Sequence, residues 1–92
     1  MEYQEIIKET IEEGTSNPWA TSSTDIEKII FECDSNNIDD VRDFIIKKYI
    51  ETSGKAPISK KIISLEMIKP MCDVNFDYAE YILIYKTTIY YN

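Results

Sequence analysis

Histidine is absent from the chain. Its absence removes the side chain that most readily exchanges a proton near neutral pH, and with it the commonest nitrogen ligand for a metal ion. Cysteine is nearly absent. Cys33 and Cys72 lie 39 positions apart, without redox-motif spacing, without an imidazole to activate them and without enough companions for a four-ligand zinc site. Their apolar neighbours Ile30, Phe31 and Met71 predict buried free thiols. Only two glycines and three prolines occur, so most of the backbone has ordinary preferences and wholesale disorder is disfavoured. The glycines stand apart from each other, which excludes a phosphate-cradling loop. Long apolar runs are missing as well. The strongest, Tyr81 to Tyr85, is far too short for a bilayer span, and Met1 is followed by Glu2 and Glu5 instead of a basic and then apolar leader. The expectation is a cytoplasmic domain with no membrane segment, no metal and no cofactor.

The chain does have apolar material: 43% of its 92 residues are hydrophobic, enough for one domain with one core. It also has an uneven charge. The net charge of −7 divides into −8 through Gly54 and +1 from Lys55 onward. Most of such a molecule repels a phosphate backbone, while an acidic surface suits a basic partner.

Periodicity predicts helices. Tyr3, Ile6, Ile7 and Ile11 fall near one helical stripe, so residues 1–14 read as a docked N-terminal helix ended by Gly14. Its other side carries Glu2, Glu5, Glu9, Glu12 and Glu13, with like charges at i,i+4 that cost a few tenths of a kcal/mol per pair. Residues 15–23 read as a turn-rich loop holding Trp19, either folded over the core or displayed as a binding anchor. Thr24-Asp25-Ile26-Glu27 has the form of a capping box, and Ile26, Ile29, Ile30 and Cys33 continue it as a short helix over 25–33. The clearest helix starts at Ile38, capped by Asn37, with Asp39 and Asp40 at its positive end and Val41, Phe44, Ile45 and Tyr49 on one face. Ser59 caps a short helix over 60–68, although Ile62, Ile63, Leu65 and Met67 define no clean face. Residues 78–91 are ambiguous, and a helix beginning at Tyr78 and giving way to extended chain after Thr87 is expected. Tyr78, Tyr81, Ile82, Tyr85 and Ile89 recur at helical spacing, yet Ile82, Ile84, Thr87, Thr88 and Tyr90 prefer strands. The expected fold is mainly α, a compact four- or five-helix domain with a helix-turn-helix-like pair between Pro57 and Ile89. The alternative is α+β with a C-terminal strand or hairpin, paired near Met71 to Phe76.

Chemistry is harder to find than shape. Asp34 to Asp40 begins like a calcium loop, but Ile38 stands at its fifth position, Asp39 replaces the turn glycine and Ile45 replaces the closing carboxylate. The carboxylates sit on predicted solvent faces, where nothing shifts them toward acid–base work. The reading is therefore a non-enzymatic regulatory or inhibitory domain that binds another protein. One surface for it is acidic: Glu2, Glu5, Glu9, Glu12 and Glu13, joined by Asp39, Asp40 and Asp43, entering a basic groove as a nucleic-acid mimic. The other is aromatic, with Trp19 as an anchor and Tyr90 and Tyr91 exposed for self-association. The competing reading is a helix-turn-helix-like DNA-binding regulator. It is opposed by acids and tyrosines where base-reading cations belong.

Overall fold

The computed structural model describes residues 1–14, 21–50, 58–72 and 77–90. They form four strands and one short helix: β1 (Tyr3–Glu12), β2 (Ser22–Cys33), α1 (Ile38–Ile45), β3 (Ile58–Lys69) and β4 (Ala79–Tyr90). The mainly helical expectation is thereby overturned, and with it the helix-turn-helix pair. The strands make one sheet in the order β1-β2-β4-β3, with every neighbouring pair antiparallel. β2 and β3 thus run the same way on either side of β4, and α1 lies in the connection between them.

Each correction has a local cause. Residues 25–33 satisfy a helical stripe at Ile26, Ile29, Ile30 and Cys33, but they also alternate. Ile29, Phe31 and Cys33 are fully buried while Ile30 and Glu32 between them are not. Pairing with β4 over twelve consecutive positions, from Ser22–Tyr90 to Cys33–Ala79, decides the outcome. Non-local partners of this kind override a capping signal. Thr24 is opposite Thr88 in that ladder, and Glu27 accepts a hydrogen bond from the Tyr85 hydroxyl instead of returning one to a cap. The same alternation runs through β4, where Ala79, Tyr81, Leu83 and Tyr85 are buried. The ambiguous C-terminal segment is therefore a strand over residues 79–90, paired with β2 and β3; residues 73–76 of the expected partner segment lie outside the described residues.

The N-terminal segment is an edge strand, not a docked helix. Extended pairing relieves the like-charge stacking of Glu5, Glu9 and Glu13, and it sets Glu9 opposite Lys28, with 2.5 Å between carboxylate and ammonium. Residues 60–68 showed no clean helical face because they belong to a bulged strand. The β3–β4 register skips Ile63 and Ile68, and the β1–β2 register skips Ile6 and Ile11. A bulge inserts one residue and resets the alternation, so neither a two-residue nor a 3.6-residue period survives it. All four inserted residues are exposed isoleucines. Residues 22 and 23 of the expected loop already belong to β2, while Trp19 lies outside the described residues.

The helix starting at Ile38 is present as expected. Asn37 caps it, its side-chain oxygen accepting from the backbone N–H groups of Asp39 (3.0 Å) and Asp40 (3.3 Å). After Ile45 the helix widens into a π-helical turn, Ile46–Ile50. Val41 and Ile45 are buried against Ile29, Phe31, Leu65, Leu83 and the ring of Tyr81, with Phe44 and Tyr49 packed at the margin. Cys33 is buried as expected and Cys72 is not: it is exposed, and both thiols are free.

Candidate functional site

The sheet has two unlike faces. Its front face, under the helix, ends in a tyrosine cluster where the helical cover stops. Tyr49, in the π-helical turn, donates to the Glu5 carboxylate and lies 2.5 Å from the Tyr3 hydroxyl. Its ring stacks on Tyr85 at 6.1 Å between centroids, and Tyr85 donates to Glu27. Lys48 sits 5.1 Å from the Tyr3 ring centre and Lys60 5.4 Å from that of Tyr85. Burial, first of all, pushes the phenols of Tyr3, Tyr49 and Tyr85 above their ordinary range, and hydrogen bonds to Glu5 and Glu27 push Tyr49 and Tyr85 further. At neutral pH these phenols are protonated donors and not nucleophiles. The cluster orients two carboxylates and fastens the helix to β1 and β4.

Beyond Tyr85 the front face carries a polar row, Asp25–Thr87–Lys60, and then Ser23–Ile89–Ile58. The back face differs. Its central rows run Ile7–Ile30–Ile82–Glu66 and Glu9–Lys28–Ile84–Ser64, followed by Glu12–Ile26–Lys86–Lys61. Ile30, Ile82, Ile84 and Ile26 are half-buried, and Ile7 is 46% exposed. Among the described residues no helix lies on this face. An isoleucine ridge therefore runs along the two central strands, flanked by Glu9 and Glu12 on β1 and by Lys61, Glu66 and Lys69 on β3.

The expected partner-binding residues are divided by this geometry. Glu5 projects on the front face with Phe31, its register partner, while Glu9 and Glu12 project on the back. Glu2 accepts from the Tyr78 hydroxyl at 2.8 Å, beside a cleft of about 410 Å³ lined by Tyr3, Gln4 and Glu32. Glu13 follows β1, next to Gly14, whose N–H donates to Asp25 at 2.9 Å. Asp39, Asp40 and Asp43 belong to α1, on the opposite side of the sheet from Glu9 and Glu12, and do not extend one stripe. Asp39 lies 3.6 Å from Arg42. Tyr90 is 51% exposed at the end of β4, on the back face by register with Ser22, whereas Tyr91 and Trp19 lie outside the described residues.

The loop that begins like a calcium site spends its oxygens on the fold. Asp34 accepts from the Glu2 N–H, the Ser35 carbonyl from the Tyr81 hydroxyl at 2.8 Å, and the Asn36 side chain from the Met71 N–H at 2.6 Å. Among the described residues no group of three or more Cys, Asp or Glu side chains is placed to hold a metal ion. No helix of the described chain is long and apolar enough to cross a membrane.

Sequence reasoning missed the isoleucine ridge and the tyrosine cluster. The signal for the ridge was the unbroken run Tyr81-Ile82-Leu83-Ile84-Tyr85. Apolar residues at consecutive positions of a strand mark both of its faces as apolar. No family model matches the chain, and no match is found among curated proteins or solved structures.

Proposed function

We propose that this chain is a non-catalytic protein-binding domain that regulates or inhibits its partner by lodging the acidic margin of its sheet in a basic groove, including a groove that otherwise holds nucleic acid. The observation that carries this reading is the position of β1. It is an outer strand, nine of its ten residues are exposed, and its carboxylates are divided between the two faces. A sheet edge about 10 Å thick, with Glu5 aimed to one side and Glu9 and Glu12 to the other, fits between two basic walls better than onto a flat surface. The bulges at Ile6 and Ile11 interrupt the edge as a template for an added strand. Charge on the side chains, not strand pairing, then supplies the recognition.

Affinity capture from the native source at low and moderate salt tests this, using the parent chain beside a Glu9→Gln/Glu12→Gln/Glu13→Gln variant. The expected partner is a basic protein retained by the parent at low salt, released by moderate salt and not retained by the variant. Equal retention by both chains at both salt levels would refute the acidic-margin mechanism.

A further inference from the structure

We infer that the groove between the helix and the outer edge of β3 binds an extended, acidic peptide segment of another protein, seating one aliphatic side chain and pairing its carboxylates with the cations along the groove. The groove has a volume of about 450 Å³ and is open to solvent, a size within the range of ligand sites. One wall is helical. Arg42, Ile46 and Ile50 follow at four-residue steps, which places them on one side of α1 and of the π-helical turn that continues it. The other wall is the edge of β3 from Lys60 to Leu65, where Ile62 is half-buried and Leu65 buried. That edge is about 17 Å long, room for about five residues of extended chain.

The charge of the lining identifies the guest. The chain has 17 acidic residues against 10 basic ones, yet the described lining holds Arg42, Lys60 and Lys61 and no carboxylate. Lys60 is steadied over the Tyr85 ring, 5.4 Å from its centre. Asp39 lies 3.6 Å from Arg42, but both side chains are exposed, and an incoming carboxylate replaces such a pair at little cost. The acidic strand β1 is at the far side of the sheet, three strand spacings or about 14 Å away. That exceeds the screening length of about 8 Å at physiological salt, so β1 does not close the groove to anions. The bulge at Ile63 decides the manner of binding. It breaks the outer edge as a template for an added strand, as the bulges of β1 do, and side chains therefore hold the guest. An occupied groove leaves Glu9, Glu12 and Glu13 exposed, and the inference does not rest on the reading of β1.

Selection of a random heptapeptide display library on the immobilised full chain tests the inference. The expected pool is rich in Asp and Glu flanking Leu, Ile or Val. Its most abundant peptide, labelled and titrated by fluorescence anisotropy, should bind about tenfold more weakly to Arg42→Glu. It should bind nearly as well to Arg42→Lys as to the parent, and equally well to the Glu9→Gln/Glu12→Gln/Glu13→Gln variant. A pool without acidic enrichment overturns the inference, as does an acidic peptide that binds Arg42→Glu as tightly as the parent. A pool of basic peptides alone also overturns it, and loss of their binding in the β1 variant would assign them to the acidic margin. Circular dichroism checks that Arg42→Glu retains the sheet. If it does not, Lys61→Glu, on the exposed edge, reads the same charge effect.

Discussion

Alkaline pH should unfold this domain through its tyrosines. Tyr81 and Tyr85 are fully buried, and Tyr3 and Tyr49 are half-buried beside them. All four are held above the ordinary phenol pKa, chiefly by burial. Below pH 10 the phenols are protonated in folded and unfolded chains alike, and their contribution to stability is fully present. Above it the unfolded chain releases protons that the folded chain retains, so stability falls as pH rises toward the folded-state pKa. Each phenol that stays protonated only in the fold removes about 1.4 kcal/mol per pH unit. Tyr81 and Tyr85 together remove about 3 kcal/mol per pH unit while both hold their protons. A domain of this size is stable by roughly 5–14 kcal/mol, so one near the lower end of that range should unfold about two pH units above 10. Tyrosinate absorbance and backbone circular dichroism, followed in one titration, measure both events. The expected record is a late, steep rise in tyrosinate coincident with loss of the sheet, and Tyr85→Phe should make the fall in stability shallower by about 1.4 kcal/mol per pH unit. Complete ionisation near pH 10 with the sheet intact would refute the sealed-phenol argument.

Two further predictions concern stability at neutral pH. A methyl group at Gly14 would lie 2.3 Å from the Thr24 carbonyl oxygen and 2.5 Å from its nitrogen; neither backbone atom yields easily, so Gly14→Ala should cost on the order of 1–3 kcal/mol in urea unfolding. Asn37→Ala removes the oxygen that accepts from Asp39 and Asp40 and should cost about 1 kcal/mol, with Asn37→Asp retaining most of the stability in the same measurement.

The one element that local sequence specified was the helix at Ile38, because its determinants lie within a few residues of it. Asn37 caps the N–H groups two and three positions on, and Val41 and Ile45 share a face at i,i+4. The strands depended on partners far along the chain. Residues 25–33 carry enough helical spacing to form a stripe, and only the ladder with residues 79–90 resolves them as a strand. β3 was obscured differently: the extra residues Ile63 and Ile68 shift the alternation twice within twelve positions. The acidic residues named from sequence are exposed on β1 and α1, but a helix would have gathered Glu5, Glu9 and Glu12 on one side, whereas the bulged strand sends Glu5 to the face opposite the other two. The tyrosine cluster could not be read from spacing at all, since Tyr3, Tyr49 and Tyr85 meet through the topology of the sheet.

The helix accounts for only part of the sheet's apolar content. Thirteen helical residues span at most about 20 Å, while a twelve-residue strand spans about 40 Å. Among the described residues the far half of the front face therefore has no helical cover, and there the rows run Glu27–Tyr85–Ile62, Asp25–Thr87–Lys60 and Ser23–Ile89–Ile58. The back face turns polar toward the same end, where Thr24, Thr88 and Ser59 share a row and Ser22 is opposite Tyr90. Its isoleucines, Ile26, Ile30, Ile82 and Ile84, stay in the middle of the two central strands and are half-buried there. Strands on both sides shield a central position from water where they leave an edge position open, so apolar side chains on this face follow place within the sheet and not the helix.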